Sequence, residues 1–454
     1  MQSAELVRRL GPASAAALVV SNMVGTGIFG TSGFLAGDLG SPAILLAIWL
    51  AGGLVALAGS VCYAELGINF QRSGGEYIYL TERYGPAWGF INGWVSFTAG
   101  FSAPIAVTCL AMVSYLAYFN PSLDPQNAEA MRIALGPLTI NLGPGALIGC
   151  GIIAVLTTLN LVGVGVASRV QNALTVLKLT VLSALLVLGF AIGKGDWSHF
   201  SQATERTSSL GLPAQFFISL VFVYWAYSGW NAAVYVAEEI KEPEKTLPRA
   251  MITGAIFVTF FYIALNCLFI YANPLEEMKG VVAVGAQAAG SLFGEAGGRF
   301  FAVAMAASLM ATINAMCLVG PRVYYAMAQN KAFFPAAAKV HPTWKTPYVA
   351  ILAQGAFTIV LILTGTFESL GNYIGFTLWL FSSLAVFAVF QFRNRPGWKR
   401  LPAVSFAWPL IPAFYTSVNV LIFLYFAWGK SWEAMWTLLT IAIGAFAYSR
   451  FRSR

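Results

Sequence analysis

Twelve apolar runs long enough to cross a bilayer constrain this chain more than any other feature: 13–36, 42–66, 87–118, 145–166, 170–192, 213–238, 250–271, 298–327, 347–365, 369–392, 403–428 and 432–449. A helical span needs about 20 consecutive apolar residues. In hydrocarbon, only helices and closed barrels satisfy their own backbone groups. These runs lack the strict alternation of a barrel strand. Charged residues make up only 10% of the chain, against about 25% in a soluble domain. The expected fold class is therefore an all-α polytopic membrane protein with twelve transmembrane helices. Arg8-Arg9 before the first run resembles the start of a signal peptide. The run is long enough to span and no cleavage site follows it, so a retained first helix is expected.

Charge placement predicts the orientation. With the N-terminus inside, the inner connections carry nineteen Lys and Arg and the outer ones six, with Lys178 the last of the 26. That bias puts both termini in the cytoplasm and connections 119–144 and 193–212 outside, with the inner (plasma) membrane as the expected location. The net charge of +8 then follows membrane topology and does not point to nucleic acid. Cys62, Cys109, Cys150, Cys267 and Cys317 fall in or beside apolar runs at no metal-ligand spacing. They read as buried free thiols, and neither a metal site nor a cofactor is expected. Connection 67–86 is rich in aromatic residues and suits an interfacial or re-entrant segment.

Two runs are interrupted where a plain span would be most apolar. The first holds Ser21-Asn22-Met23-Val24-Gly25-Thr26-Gly27-Ile28-Phe29-Gly30, with three glycines in six residues. Glycine is a poor helix former. A break there exposes the N–H groups of the second half-helix, a natural seat for a carboxylate. Close small-residue packing between helices is the competing explanation. The sixth run holds Tyr224-Trp225-Ala226-Tyr227-Ser228-Gly229-Trp230-Asn231 at mid-span, too deep for an interfacial aromatic belt. Runs 1 and 6 lie five helices apart and therefore run in opposite directions. Paired interruptions in corresponding positions of two inverted halves point to a transporter site.

Lys178 is the only ionisable residue well inside a run; Glu65 and Glu238-Glu239 sit at run ends. A charge at that depth marks function by default, with snorkelling to the interface as the alternative.

Taken together, Gly25-Thr26-Gly27-Ile28-Phe29, Ser73-Gly74-Gly75-Glu76-Tyr77, Lys178, Tyr227-Ser228-Gly229-Trp230-Asn231 and Glu238-Glu239-Ile240-Lys241-Glu242-Pro243 resemble the amino acid–polyamine–organocation superfamily. Within it, the chain is most similar to the L-type amino acid transporters and their bacterial homologues. Asn314 and Arg322 also fit. The resemblance covers all twelve runs. It implies a five-plus-five inverted-repeat, LeuT-like fold with discontinuous helices 1 and 6. Residues 13–192 would form the first repeat, 213–392 the second and 403–449 two peripheral helices. It implies that Gly25, Thr26 and Gly27 receive the substrate α-carboxylate and that carbonyls of Met23, Trp225 and Ser228 receive the α-ammonium. Trp225 would also gate the site. Lys178 would stand where sodium-driven relatives hold a cation, reaching carbonyls near Met23 and Val24 and a hydroxyl such as Ser308.

Three departures from the family pattern bear on function. Thr26 replaces the usual Ser and crowds the pocket with a methyl. Gln71 replaces a common Pro. The connection after run 3 lacks the Cys that animal members use to link a glycoprotein subunit, so no disulfide-linked partner subunit is expected. Asn231 stands where relatives that handle cationic substrates often carry Asp. The expected function is sodium-independent exchange of small neutral L-amino acids. A proton-coupled or cationic amino acid or polyamine permease of the same fold is the alternative. An enzyme would need an intramembrane nucleophile, acid/base pair or metal cluster, and none is found; a channel would want a ring or file of polar groups, and two helix breaks facing each other suit an occluded site better.

Overall fold

Proline and glycine set most of the helix boundaries. In the computed structural model, which describes residues 8, 10–72, 74–126, 131–135, 138–162, 167–329 and 333–452 and omits the side chains of 167–175, 326, 451 and 452, many helices start on a proline. A proline there loses no hydrogen bond, because first-turn N–H groups have no intrahelical acceptor. This holds for α1 (Pro12–Met23), α3 (Pro42–Asn69), α5 (Pro86–Val95), α7 (Pro144–Val162), α10 (Pro243–Ala272) and α16 (Pro402–Phe406). The others are α2 (Thr26–Leu39), α4 (Glu76–Tyr84), α6 (Ala103–Leu116), α8 (Ala167–Ile192), α9 (Leu212–Tyr227), α11 (Leu275–Met278), α12 (Val284–Phe293), α13 (Glu295–Gln329), α14 (Tyr348–Thr364), α15 (Phe367–Phe392), α17 (Leu410–Gly429) and α18 (Ser431–Arg452).

Eight helices among the described residues are long and apolar enough to cross a membrane, or nine with the bent pair α1–α2 as one span. The protein is thus a polytopic helical membrane protein. It is not wholly α: β1 (Arg132–Leu135) and β2 (Leu138–Asn141) pair antiparallel within connection 119–144. The helix from α5 to α6 widens into π turns over Ser96–Ser102. Pro104 explains this locally, because it offers no N–H to the carbonyl of Gly100 and its ring crowds that turn.

Helix packing sorts the chain into two neighbourhoods. In one, α10 lies along α1 and α3, while α9 packs on α2, α3, α15 and α17. In the other, α13 packs on α6, α8, α12 and α14, and α14 on α7. The breaks lie in the first. Two backbone ties hold the start of α1 to the segment after α9: Leu10 N–H donates to Glu239 at 2.9 Å, and Lys241 N–H to Leu10 at 2.9 Å.

Glu65 is fully buried, although it stood at the edge of an apolar run. Helix α3 continues to Asn69, so the carboxylate lies among side chains and away from the water interface. Arg393 grips it with two bonds of 2.6 Å, Trp398 Nε1–H donates at 3.0 Å and Leu401 N–H at 3.0 Å. A buried charge persists only when paired and fully hydrogen-bonded, and this network closes α3 against the end of α15.

Candidate functional site

The first interruption falls at Val24-Gly25. Helix α1 ends at Met23, α2 starts at Thr26, and the two bend by 41°. No side chain caps the N-terminus of α2. The second falls after α9, where Ser228 is extended and Gly229 takes φ +106. A 3₁₀ segment, Ala232–Glu239, follows. Only glycine adopts that φ without strain. A Cβ at Gly229 would also come within 2.7 Å of the Asn22 carbonyl carbon. The two breaks therefore touch: the last turn of α1 rests on the turn that ends α9.

Gly27 makes the second contact. A Cβ there would lie 2.3 Å from Cα and 2.6 Å from Cβ of Ala226. The backbone of α2 therefore lies directly on α9. The sequence assigns Gly27 to anion approach; in the structure its missing side chain also lets the two broken spans meet.

A residue that sequence reading did not single out joins both breaks. Tyr262 on α10 is fully buried, and its hydroxyl lies 2.6 Å from the Met23 carbonyl and 3.0 Å from that of Ala226. Each break frees carbonyls at the end of its first half-helix. One O–H, placed between them by α10, is shared by one carbonyl from each. The signal was a tyrosine at the centre of an apolar run, which periodicity alone reads as core. Thr108 on α6 was missed too: its hydroxyl pairs with that of Thr26 at 2.8 Å, both buried.

Trp225 lies in an aromatic cluster on the α2 side of the breaks. Its ring stacks on Phe222 at 5.5 Å and meets Phe367 edge-on at 5.5 Å. Phe34 contacts Phe222 at 5.7 Å and stacks on Phe367 at 5.8 Å. Trp225, Phe222 and Phe367 are buried, whereas Asn22 at the end of α1 is exposed. Rings thus cover the breaks on the α2 side, while exposure begins at Asn22 on the α1 side. The Trp225 carbonyl accepts from Ser228 N–H at 2.9 Å. The Ser228 side chain is half-buried with no hydrogen-bond partner among the described residues.

Other expected residues lie elsewhere. Asn231 Nδ2 donates to Glu76 on α4 at 2.8 Å. Lys178 on α8 is 5% exposed, and no hydrogen bond joins it to Met23, Val24 or Ser308 among the described residues. The Met23 carbonyl is engaged by Tyr262. Ser308 is buried on α13, against which α8 packs.

Two helices broken face to face, tied by a buried hydroxyl and covered by rings on one side, are the marks of a membrane transporter. Residues 10–446 match the amino acid permease family, and the chain belongs to it. It is 32% identical over 419 residues to the serine/threonine exchanger SteT of Bacillus subtilis (strain 168), covering 90% of this chain and 88% of that one. It is 27% identical over 468 residues to b(0,+)-type amino acid transporter 1 of Mus musculus, covering 99% of this chain and 89% of the relative. Identity to the large neutral amino acids transporter small subunit 2 of Mus musculus is 28% over 414 residues, covering 89% and 74%. These relatives are transporters, not enzymes, and within the superfamily the chain sorts with the L-type group.

The Gly27 contact changes what a substitution there should do. Gly27→Val drives its branched side chain into Ala226 and separates α2 from α9. It should abolish substrate binding and lower the unfolding temperature of the purified protein, since overpacking costs about 1–3 kcal/mol. Ligand-dependent thermal shift reads both effects. Substrate-dependent stabilisation retained in the valine variant would refute the close contact.

Proposed function

We propose that this protein is a sodium-independent exchanger of small neutral L-amino acids, working by alternating access across the plasma membrane. The observation that carries the reading is the pair of touching breaks joined by Tyr262, in a member of the amino acid permease family. The substrate carboxylate meets the uncapped start of α2 at Gly25, Thr26 and Gly27, where the half-helix dipole favours an anion. The α-ammonium meets carbonyls of Met23, Trp225 and Ser228. A carbonyl oxygen has two lone pairs, so the Tyr262 bond leaves Met23 able to accept again. Trp225 is the gate, supported by its place among Phe34, Phe222 and Phe367.

The fold proposed for this activity has twelve spans. Segments Val176–Ile192 and Tyr348–Thr364, both apolar, join the nine spans, and α18 completes the set. Residues 13–192 and 213–392 form the two inverted repeats and 403–449 the peripheral pair. Both termini are cytoplasmic. A cysteine placed at Gln126 in the connection after α6 should then react only with an impermeant thiol reagent added outside; labelling from inside alone would reverse the orientation.

Size selectivity follows from Thr26 and Trp225, whose methyl and ring narrow the site. The similarity to an exchanger of serine and threonine points the same way. Counterflow in proteoliposomes should carry labelled serine, alanine or threonine at equal rates in sodium and potassium media. Arginine or lysine as the best cargo, or a requirement for sodium, would refute the proposal and favour the cationic or ion-coupled alternative.

Lys178 is proposed to brace the site from α8 without touching substrate, and the chain to work without a disulfide-linked partner subunit. The support for Lys178 is a buried ammonium with no ion-pair partner among the described residues, a costly arrangement retained for function. Lys178→Ala removes a buried charge from the scaffold beside the site and should lower exchange at least about tenfold, about 1.4 kcal/mol, while the protein still inserts and purifies. Normal counterflow in that variant would remove Lys178 from the mechanism.

A further inference from the structure

Glu76 is a carboxylate with no cation bound to it among the described residues. It is the first residue of α4, half-buried, and three neutral donors converge on it. Tyr63 on α3 donates its hydroxyl to Oε1 at 2.9 Å, and Asn231 donates Nδ2 to the same oxygen at 2.8 Å. Tyr235, from the 3₁₀ segment after the second break, donates to Oε2. Tyr63 is itself fixed, with its ring edge-on to Trp230 at 4.8 Å and to Tyr79 at 5.6 Å. One carboxylate thus gathers α3, α4 and the segment from Asn231 to Tyr235, which begins two residues beyond Gly229.

The chemistry of the acceptor matters as much as the contact. An ionised carboxylate accepts and cannot donate. It therefore forces Asn231 to present its NH₂ group to Glu76. The other face of the amide, Oδ1, is an acceptor with no partner among the described residues. An asparagine amide has no such preference by itself, because O and N are nearly equal in size and shape. The charge at Glu76 decides that Asn231 keeps an acceptor free two residues past Gly229, the polarity that suits an ammonium. Bonds to an ionised acceptor are about twice as strong as neutral ones, so the choice is firmly held.

We propose that Glu76 is a positioning residue for substrate binding: it holds the turn after α9 and fixes the amide of Asn231 with Oδ1 free. The inference rests on the transport reading and extends it to a residue outside the broken spans. It also predicts a pH response. The titratable groups facing Glu76 are Tyr63 on α3, Tyr79 on α4, Tyr224 on α9 and Tyr235 on the 3₁₀ segment. Burial pushes the Glu76 carboxyl above its ordinary value, against the opposing pull of its three hydrogen bonds. As pH falls through that raised value, the carboxyl gains a proton, Oε1 or Oε2 becomes a donor, and the amide loses its enforced orientation. Affinity should fall with pH on the α4 side.

Glu76→Gln keeps the shape and removes the charge, and glutamine can donate to Asn231 Oδ1 as readily as it accepts from Nδ2. In proteoliposomes exchanging labelled serine, the variant should show KM raised about tenfold, the scale of one lost charge-assisted bond. Maximal rate should change by less than about threefold, and the pH dependence of KM seen in the native protein should be lost. Tyr235→Phe removes one donor and should raise KM less. If Glu76→Gln does not purify as a folded protein, Tyr235→Phe decides: raised KM with an unchanged unfolding temperature supports the role, and native KM overturns it. Native KM and pH profile in Glu76→Gln overturn it too, as does a loss confined to maximal rate and thermal stability. A native protein that exchanges no amino acid refutes the transport reading itself and removes the proposal with it.

Discussion

The hydroxyl of Tyr262, held between the carbonyls of Met23 and Ala226, answers the problem that any break in a membrane helix creates. Each break frees backbone groups that water would satisfy in a soluble protein and that lipid cannot. A shared donor from a third helix relieves one carbonyl from each side. It also fixes the separation of the two ends, which Gly27 against Ala226 and Gly229 against Asn22 make as small as backbone contact allows. The geometry of the two turns is thereby tied to the packing of α10 along α1 and α3.

The interruptions were legible because glycine and polar residues are conspicuous in a run of Leu, Val and Ile. Gly25 and Ser228-Gly229 do end helices where the composition changed. What the sequence could not reveal was pairing. Tyr262 and Thr108 sit in helices with unremarkable periodicity, and their roles arise only from which helix lies beside which. Asn231 was legible as a polar residue near a break, but its donor atom faces Glu76, in a connection that reads as interfacial. Glu65 sat at the end of an apolar run, and only the length of α3 and the approach of Arg393 reveal it as a buried ion pair. Membrane-spanning helices were legible because hydrophobic length is set by the bilayer, and eight or nine of the described helices are long and apolar enough to cross. The hairpin of β1 and β2 was not, because short strands in a polar connection carry no long pattern.

The two sides of the breaks are built from different chemistry. On the α2 side, Phe34, Phe222, Trp225 and Phe367 pack ring against ring, a contact that excludes water without directional bonds. On the α1 side, the contacts are hydrogen bonds among Glu76, Asn231, Tyr63 and Tyr235, which hold specific angles. A stacked seal can slide and re-form at little cost; a carboxylate with three donors must break bonds one at a time. The sealed side is therefore the more deformable and the hydrogen-bonded side the more exact.

The paired backbone bonds between Leu10 and residues 239 and 241 act as a hinge pin. Helix α1 cannot tilt about Val24-Gly25 without carrying the end of the 3₁₀ segment with it, unless both bonds part. Asn22 against Gly229 couples the other end of the same helix to the same segment. Two elements that look independent in the sequence, more than two hundred residues apart, are tied at both ends of α1, and Leu10, ahead of Pro12, is one of the ties.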